Sequence, residues 1–334
     1  MKSNTKNRKL LSIVALPVML FMVTASASAQ NYNAPRTPWG DPDLQGVYTS
    51  DDSIGVRAER PEEFGDRLFL TEEEYNARLQ QNEQSIASRT VEFAGDNPRI
   101  TINPPGHWLE WGDELSRQTS LVVDPPNGRI PEVTSEAQER TREYTARVRG
   151  DADSWENFSP YIRCITRGAT GSIFPVIYGN GTRIVQGQGY VGLMYEMVHE
   201  ARIVPLVDAE HVGSDITMWA GDAIGYWEDD TLVVETRNLT NKTGVTVNGG
   251  GTRHSENLHI VERFTRVAPD RINYEATFTD PDTWAAPWTA AFPIKQKPGY
   301  EVYEYACHEG NHAMFNSLSG ARADEAAAAA ENNN

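Results

Sequence analysis

The feature that most constrains the fold is a series of β-prone segments in the C-terminal half of the chain. From about residue 173, runs rich in β-branched and aromatic residues alternate with glycine, aspartate and proline, which is typical of strands separated by turns. The segments are TRIVQGQ, YVGLMYEMV, ARIVPLV, AIGYW, TLVVET, NLHIVERFTRV, RINYEATFT, WTAAFPIK and YEVYEYACHE. Connections as short as EDD and APD force neighbouring strands to run antiparallel. The sequence therefore predicts a mainly β fold, an antiparallel up-and-down barrel or a strongly curved sheet.

The N-terminal part of the chain adds an arm, a first strand and two helices. A proline-containing stretch leads into a predicted strand at Gly46-Val47-Tyr48. Thr71 and Glu74 form a capping box that opens one helix, and a second helix is predicted from Ser135 to Gly150. The alanine-rich tail has no apolar face to bury and is predicted to be disordered. The predicted divisions are a signal peptide 1–29, an N-terminal arm, first strand and helices packed on the barrel 30–150, an antiparallel β domain 151–320 and a disordered tail 321–334.

The first 29 residues have the composition of a cleavable secretory signal. Four basic residues precede the apolar run LLSIVALPVMLFMV, and small residues at Ala27 and Ala29 predict cleavage after Ala29. The apolar run is shorter than the roughly 20 residues that a membrane-spanning helix needs. The sequence therefore predicts a periplasmic or secreted protein without membrane insertion.

The charge of the chain narrows the class of partner. Its formal net charge is −17, and removal of the signal, which has basic but no acidic residues, makes the mature chain more negative. A chain this acidic is repelled by phosphate backbones and by anionic lipid. We therefore expect no nucleic-acid partner. We expect a small-molecule ligand or substrate instead. The sequence contains neither a glycine-rich phosphate loop that opens a helix nor a G-x-S-x-G elbow, and no cofactor is predicted.

The chain has two cysteines, Cys164 and Cys307. Export would place them in an oxidising compartment, where paired thiols persist, so a disulfide is predicted; two buried free thiols are the alternative. The bond would hold the segment RCITRG, with Arg163, beside CHEGN, with His308 and Glu309. An acid/base cluster or an anion-recognition pocket could form there. The alternative is a salt-bridged strand end held by the disulfide.

The segment 308–312 reads HEGNH and matches the H-E-x-x-H pattern of zinc metalloproteases. That motif works when both histidines lie one helical turn apart and face a single zinc ion. Here the letters follow a predicted strand, and Gly310 disfavours a helix by about 1 kcal/mol. The only carboxylates downstream lie in the alanine-rich tail. The sequence therefore predicts no metal site.

The segment 256–266 supplies further candidates. Glu262 interrupts an apolar face, so its carboxyl either pairs with a buried arginine or has a raised pKa suited to proton transfer. His259 lies on the opposite side, as a half-exposed hydrogen-bonding residue or as a ligand. The predicted catalytic candidates are His308, Glu309, His259 and Glu262. The predicted ligand-binding candidates, chosen as aromatic or cationic side chains that could line a pocket, are Arg163, Arg263, Trp227, Trp288 and Tyr305.

At TPWGDPDLQGVY, YWEDDTLVVET, NLHIVERFTRV, DPDTWAAPWT and YEYACHEGN, the chain resembles a family of secreted bacterial hypothetical proteins without an assigned activity. The resemblance implies secretion. In that family a tyrosine commonly follows CHEGN, whereas His312 stands here, which argues against the metalloprotease interpretation. The opening Gly46-Val47-Tyr48 before a meander is also similar to the glycine-x-tryptophan start of lipocalin-like barrels, and this implies a ligand-holding barrel.

Two functions remain open from the sequence. The first is an exported acid/base enzyme of the hydrolase or lyase type, acting on a small organic or sugar-like molecule. The second is a non-catalytic, lipocalin-like binding protein in which aromatic side chains supply affinity and Arg163 or Arg263 orients the ligand.

Overall fold

The computed structural model describes residues 32–89, 109–206, 208 and 210–332. The predicted signal peptide and the cleavage site after Ala29 lie outside these residues. No helix among the described residues has the length and apolar character needed to span a membrane. The strands and helices are β1 (Gly46–Thr49), α1 (Glu72–Arg89), β2 (Val122–Asp124), α2 (Ser135–Arg149), β3 (Thr182–Gly187), β4 (Tyr190–Tyr195), β5 (Ala201–Pro205), β6 (Asp222–Glu228), β7 (Thr231–Arg237), β8 (His259–Ala268), β9 (Arg271–Thr279), β10 (Trp288–Gln296) and α3 (His312–Asn332).

The ten strands form one antiparallel sheet that is nearly closed into a barrel. Their order is β5-β4-β3-β1-β10-β9-β8-β7-β6, and β2 also pairs with β10. The two ends of this order lie side by side, because a Cβ atom on Gly225 of β6 would be 2.8 Å from Val204 Cγ1 of β5. The predicted mainly β, barrel-type fold is confirmed.

The first strand, β1, connects the two halves of the sheet by pairing with a strand of each. Tyr48 of β1 lies opposite Gln296 of β10 on one side and opposite Thr182 of β3 on the other. The strands β3 to β5 and β6 to β10 are therefore two meanders that an N-terminal strand joins, and the barrel is not a simple up-and-down series. The sheet takes strands from both sides of the predicted boundary at residue 150.

The strand predicted in YEVYEYACHE does not form. Residues 301–306 have no regular structure, and 307–310 form a turn. The reason is that β10 already has β9 on one side and β1 and β2 on the other, so the following segment finds no free edge beside it. The prediction of a strand in this segment is therefore wrong.

The helix α1 begins as predicted, whereas the C-terminal tail differs from the prediction. Thr71 and Glu74 form the predicted capping box, in which Thr71 N donates to Glu74 Oε2 at 2.8 Å and Glu74 N donates to Thr71 Oγ1 at 3.3 Å. In contrast, the tail predicted to be disordered belongs to α3. Alanine has the highest helix propensity, so a polyalanine segment can be helical without an apolar face to bury.

Side chains fill the barrel interior. The rings of Phe264 and Tyr274 lie 5.1 Å apart between centroids, those of Tyr274 and Phe292 5.3 Å, and those of Phe292 and Phe174 5.4 Å. All four side chains are buried. This region of the interior is a packed core, unlike the ligand-holding interior that the lipocalin-like opening implied.

Candidate functional site

Glu262, a predicted catalytic candidate, is fully buried in the barrel interior. Its carboxylate accepts a hydrogen bond from Arg202 Nη2 at 2.6 Å and another from the Tyr274 hydroxyl at 2.9 Å. Arg202 also donates to Thr236 Oγ1 at 2.8 Å. Burial and the negative charge of Glu262 raise the pKa of Tyr274 well above its ordinary value. Of the two alternatives for Glu262, the structure has the pairing with a buried arginine.

The outer face of the same strands carries a different set of polar groups. Because successive residues of a strand point to opposite faces, the neighbours of buried positions on β6, β7 and β8 point outward. Across this face Asp222 lies opposite Arg237, and Ile224 lies opposite Glu235. His259 of β8 is on the same face. Three neighbouring strands thus place a carboxylate, a guanidinium and an imidazole on one surface.

A cavity of about 700 Å³ lies against this surface, near the edge where β6 approaches the end of β5. We call it the outer-wall pocket. Its size lies within the range of roughly 300–1,000 Å³ that is typical of small-molecule sites. The residues that line it are Leu206, Asp208, Glu210, His211, Ile224, Gly225, Tyr226, Trp227, Glu235 and Arg237.

His211 is held in the outer-wall pocket by Asp222. Its Nδ1 lies 2.9 Å from Asp222 Oδ2, and the same oxygen accepts a hydrogen bond from Val212 N at 3.0 Å. The contact with a carboxylate favours the tautomer in which Nδ1 carries the proton, so Nε2 of the neutral ring keeps its lone pair. Among the described residues, Nε2 has no hydrogen-bond partner. An imidazole oriented in this way beside a cavity can act as a general base.

Glu235 contacts two further polar groups beside the pocket, a tyrosine hydroxyl and an imidazole. Its Oε1 accepts a hydrogen bond from the Tyr226 hydroxyl at 3.2 Å, and its Oε2 lies 3.3 Å from His259 Nε2. The second contact is electrostatic rather than a well-directed hydrogen bond, because His259 Nε2 is buried without a hydrogen-bond partner in the described structure. Burial, together with the charge of Arg237, lowers the pKa of His259.

Arg237 completes the polar lining of the outer-wall pocket. Its side chain is exposed and makes no ion pair with any residue that the structure describes. A guanidinium group in this position can bind a carboxylate or stabilise a developing negative charge on a bound molecule.

Three of the predicted ligand-binding residues lie on strands β6, β8 and β10, and each is in a different environment. Trp227 lines the outer-wall pocket, and its buried Nε1 has no hydrogen-bond partner in the described structure. Trp288 is instead part of the core, where it stacks on Phe278 with 4.3 Å between ring centroids. Arg263 lies on the outer face and forms an ion pair with Glu228 at 2.6 Å. Only Trp227 of these three faces the pocket.

The predicted disulfide is present, and Cys164 and Cys307 are bonded at an S–S distance of 2.02 Å. A cavity of about 390 Å³ lies beside it, and Tyr305 and Glu309 are among the residues that line this cavity. Tyr305 is therefore placed at a pocket, as predicted, but at a different one from Trp227.

The residues expected to form an acid/base cluster beside the disulfide are exposed or contact other groups. His308 and Glu309 lie in an exposed turn, and Arg163 is not ion-paired with Glu309 in the described structure. The guanidinium carbon of Arg163 instead lies 4.2 Å from the centroid of the Trp155 ring. The helix α3 begins at His312, so His308 precedes it and the two histidines do not share a helical face. Within the described residues, no three His, Cys, Asp or Glu side chains are arranged to hold a metal ion.

A second group of ionisable residues lies near the ends of β4 and β10. The Tyr300 hydroxyl lies 3.0 Å from Glu110 Oε1 and also makes a short contact with Glu196 Oε2. Burial, followed by the charges of Asp51 and Glu196, raises the pKa of Glu110. A phenol has one proton to donate, so two close carboxyl contacts are best satisfied when one of the carboxyls is protonated. This group lies outside the outer-wall pocket, and its members come from three distant segments of the chain.

Several residues of the outer-wall pocket escaped the sequence analysis. His211 and Asp222 are eleven positions apart, with a loop between them, so no local spacing connects them. Glu235 and Arg237 could be placed on an outward face from the alternation of TLVVETR, but nothing in that pattern shows that the face borders a cavity. The contact between His211 and Asp222 depends on how the chain between β5 and β6 folds over the sheet.

No protein-family model matches the chain, and a comparison with curated proteins finds no match. The functional assignment therefore depends on the geometry of the side chains.

Proposed function

We propose that the chain is an exported acid/base enzyme of the hydrolase or lyase type, and that the outer-wall pocket binds its substrate, a small organic or sugar-like molecule. The observation that carries this proposal is the contact of 2.9 Å between His211 Nδ1 and Asp222 at the wall of a cavity of about 700 Å³. The pair supplies a base with a defined tautomer, and the cavity supplies room for a substrate.

The roles of the residues follow from their hydrogen bonds. His211 Nε2 takes a proton from water or from the substrate, and Asp222 stabilises the imidazolium ion that forms. Tyr226, whose hydroxyl donates to Glu235, is the matching proton donor, and it lies on β6, the strand that also carries Asp222. Arg237 binds the negative charge that develops on the substrate. These roles need a proton acceptor, a proton donor and a cation on one wall, and all three line the outer-wall pocket.

Export is the second part of the proposal. It is supported by the basic and apolar composition of the first 29 residues, by the resemblance to a secreted family and by the disulfide, since disulfides persist in oxidising compartments.

A non-catalytic binding protein is the alternative, and one observation favours it. Two aromatic residues of β6, Tyr226 and Trp227, are among those that line the outer-wall pocket, and Trp227 also packs against the core. Such a lining can bind a small ligand without any proton transfer.

The test is a turnover screen of the purified mature chain against chromogenic esters and glycosides. Replacement of His211 by Asn or of Asp222 by Asn should lower kcat/KM for an accepted substrate by about 10²–10⁴-fold, the usual contribution of general acid/base catalysis. His312→Asn is the matched control, because His312 is exposed and is not among the residues that line the outer-wall pocket. This variant should leave turnover unchanged.

The two functions give different outcomes. A substrate that is turned over equally well by wild type and by His211→Asn would show that the catalytic assignment is wrong. Binding of the panel compounds without turnover, and with affinity that depends on Trp227 but not on His211, would support the binding protein instead.

A further inference from the structure

A smaller cavity, separate from the outer-wall pocket, is lined by three cations. Its volume is about 190 Å³, and its lining includes Tyr144, Arg147, Trp155, Arg163, Trp219 and Lys242. Arg147 belongs to the last turn of α2, and Arg163 precedes the disulfide cysteine. We call this cavity the cationic pocket. It contains Arg163, which the sequence predicted to bind a ligand.

The three cations of the cationic pocket have no ion-pair partner in the part of the chain that the structure describes. Among the described residues, the side chains of Arg147, Arg163 and Lys242 make neither an ion pair nor a hydrogen bond. The chain has 47 acidic and 30 basic residues, so carboxylates are in excess and an unpaired cluster of cations is unexpected. Elsewhere on the surface, arginines such as Arg67 and Arg117 do pair with carboxylates, at 2.6 and 2.7 Å. Glu156 also lines the cavity, but it lies beyond ion-pair distance.

Aromatic rings hold these cations in place. The guanidinium carbon of Arg163 is 4.2 Å from the ring centroid of Trp155, and Lys242 Nζ is 5.9 Å from that of Trp219. Stacking positions a cation but does not neutralise it, and a guanidinium that lies over a ring keeps its N–H groups at its edge. Trp155 is itself 51% exposed, so this wall is open to a ligand.

A buried arginine adds positive charge behind the pocket. Arg253 is 5% exposed, its guanidinium carbon is 4.0 Å from the ring centroid of Tyr144, and its Nη2 donates to Gly249 O at 2.7 Å. The other hydrogen bonds of its guanidinium group also go to carbonyl oxygens and none to a carboxylate in the described structure. Charge that is not cancelled by a carboxylate contributes to a positive potential at the adjacent cavity.

We propose that the cationic pocket is a binding site for a small oxyanion, that is, for the carboxylate or phosphate group of a small molecule. Guanidinium and ammonium groups are the protein groups that bind these anions best. The volume is below the roughly 300–1,000 Å³ of sites for drug-sized ligands, which restricts the ligand to a small one. The site shares no lining residue with the outer-wall pocket, so it does not depend on the proposed catalysis.

The experiment is titration calorimetry of the full mature chain with sodium phosphate, sodium acetate and sodium benzoate, at an ionic strength kept constant with sodium chloride. We expect saturable binding of at least one of these anions to the wild type, and the three arms identify the preferred group. Arg163→Met should weaken that binding by about tenfold or more, because it removes a charged hydrogen-bond donor. Arg163→Lys, which keeps the charge, should recover part of the affinity.

The matched control is Arg142→Met on α2, where the arginine is exposed and paired with Glu139. This variant should bind the anion as tightly as the wild type. Heat signals from all three anions that do not exceed the chloride blank would overturn the proposal, as would equal losses in Arg142→Met and Arg163→Met. His211→Asn should bind the anion normally, so a failure of the proposed catalysis leaves this result unaffected.

Discussion

Glu262 and Arg263 are consecutive residues of β8, and each belongs to an ion pair with an N–O distance of 2.6 Å, but the two pairs lie in opposite environments. The side chains of Glu262 and its partner Arg202 are 0% and 3% exposed, inside the barrel. Those of Arg263 and its partner Glu228 are 35% and 47% exposed, on the outer wall. The same geometry therefore has different energetic consequences on the two faces of one strand.

The difference extends to the neighbouring polar groups. Inside the barrel, Tyr195, Tyr274 and Thr236 add hydrogen bonds to the buried pair, and Arg202 Nε is left without a partner among the described residues. On the outer wall, His211 Nε2 has no hydrogen-bond partner in the part of the chain that the structure describes. A buried network in which most polar groups are hydrogen-bonded stabilises one arrangement of the core, whereas an unpartnered group beside a cavity is available to a ligand. The comparison supports a stabilising role for the interior pair and agrees with the proposed substrate site on the outer wall.

The largest expected effect comes from breaking the buried pair. Arg202→Met leaves the Glu262 carboxylate buried without its counter-charge, and we expect the free energy of unfolding to fall by about 3–5 kcal/mol. Urea unfolding followed by far-ultraviolet circular dichroism measures this change. The double variant Arg202→Met with Glu262→Leu removes both charges and should be much less destabilised. A loss below 1 kcal/mol in the single variant would contradict the distinction between the two faces.

The second prediction compares two histidines that are five positions apart. His254 is 1% exposed, and burial lowers its pKa to about 4. Its folded-state pKa is thus below the unfolded value near 6.5, so as the pH falls from about 6.5 to about 4 the unfolded state binds a proton that the folded state does not. Stability should fall by about 3 kcal/mol across this window from His254 alone.

The measurement is urea unfolding of wild type and His254→Gln at pH 7, 6, 5 and 4. The stability advantage of the wild type over His254→Gln should shrink toward acid pH, because the variant has no imidazole to protonate. His259→Asn serves as the outer-wall control and should alter the pH dependence less, since the His259 side chain is 23% exposed. Parallel curves for wild type and His254→Gln would refute the assignment of a neutral buried imidazole.

The third prediction uses two tyrosines that both donate to a carboxylate. The hydroxyl of Tyr274 is buried on Glu262, whereas that of Tyr226 meets Glu235 at the outer wall. Tyr274→Phe should lower the free energy of unfolding by about 1–3 kcal/mol, because it leaves a buried acceptor with one partner fewer. Tyr226→Phe should change stability by less than about 0.5 kcal/mol, because water can replace the lost donor. Thermal denaturation of both variants would show equal losses if the two faces were equivalent.

Much of the sheet could be predicted from the sequence. Strands β3 to β10 coincide with alternating or β-branched runs, and the turn between β6 and β7 falls at EDD, because side-chain period and turn residues are local properties. The position of β1 between β10 and β3 could not be predicted, since a four-residue strand gives no indication of its partners. The absence of a strand after β10 could not be predicted either. Alternation indicates which residues could form a strand, but not whether the sheet has a free edge for them.

Of the predicted site residues, Trp227 alone is among those that line the outer-wall pocket. Alternation in β8 separated Glu262 from His259 and Arg263, and this separation holds in the structure. The sequence also suggested the arginine-paired state of Glu262, although not its partner Arg202, which is sixty positions away. His211 and Asp222 were missed because a loop brings them together. Functional side chains on loops leave no periodic pattern, in contrast to those on strands.

The smallest expected effect comes from the outer-wall pair itself. Arg263→Met removes the partner of Glu228, but both side chains are partly hydrated, so the free energy of unfolding should fall by less than about 1 kcal/mol. Because water and ions screen this pair, the difference between wild type and Arg263→Met in urea unfolding should shrink further when salt is raised from 0.1 to 1 M, where the Debye length falls from about 10 to about 3 Å. The effect of Arg202→Met should be nearly independent of salt, because the interior pair is not reached by ions. If instead both variants lost stability equally and with the same salt dependence, burial would not be what distinguishes the two pairs, and the outer wall would have to be regarded as structural.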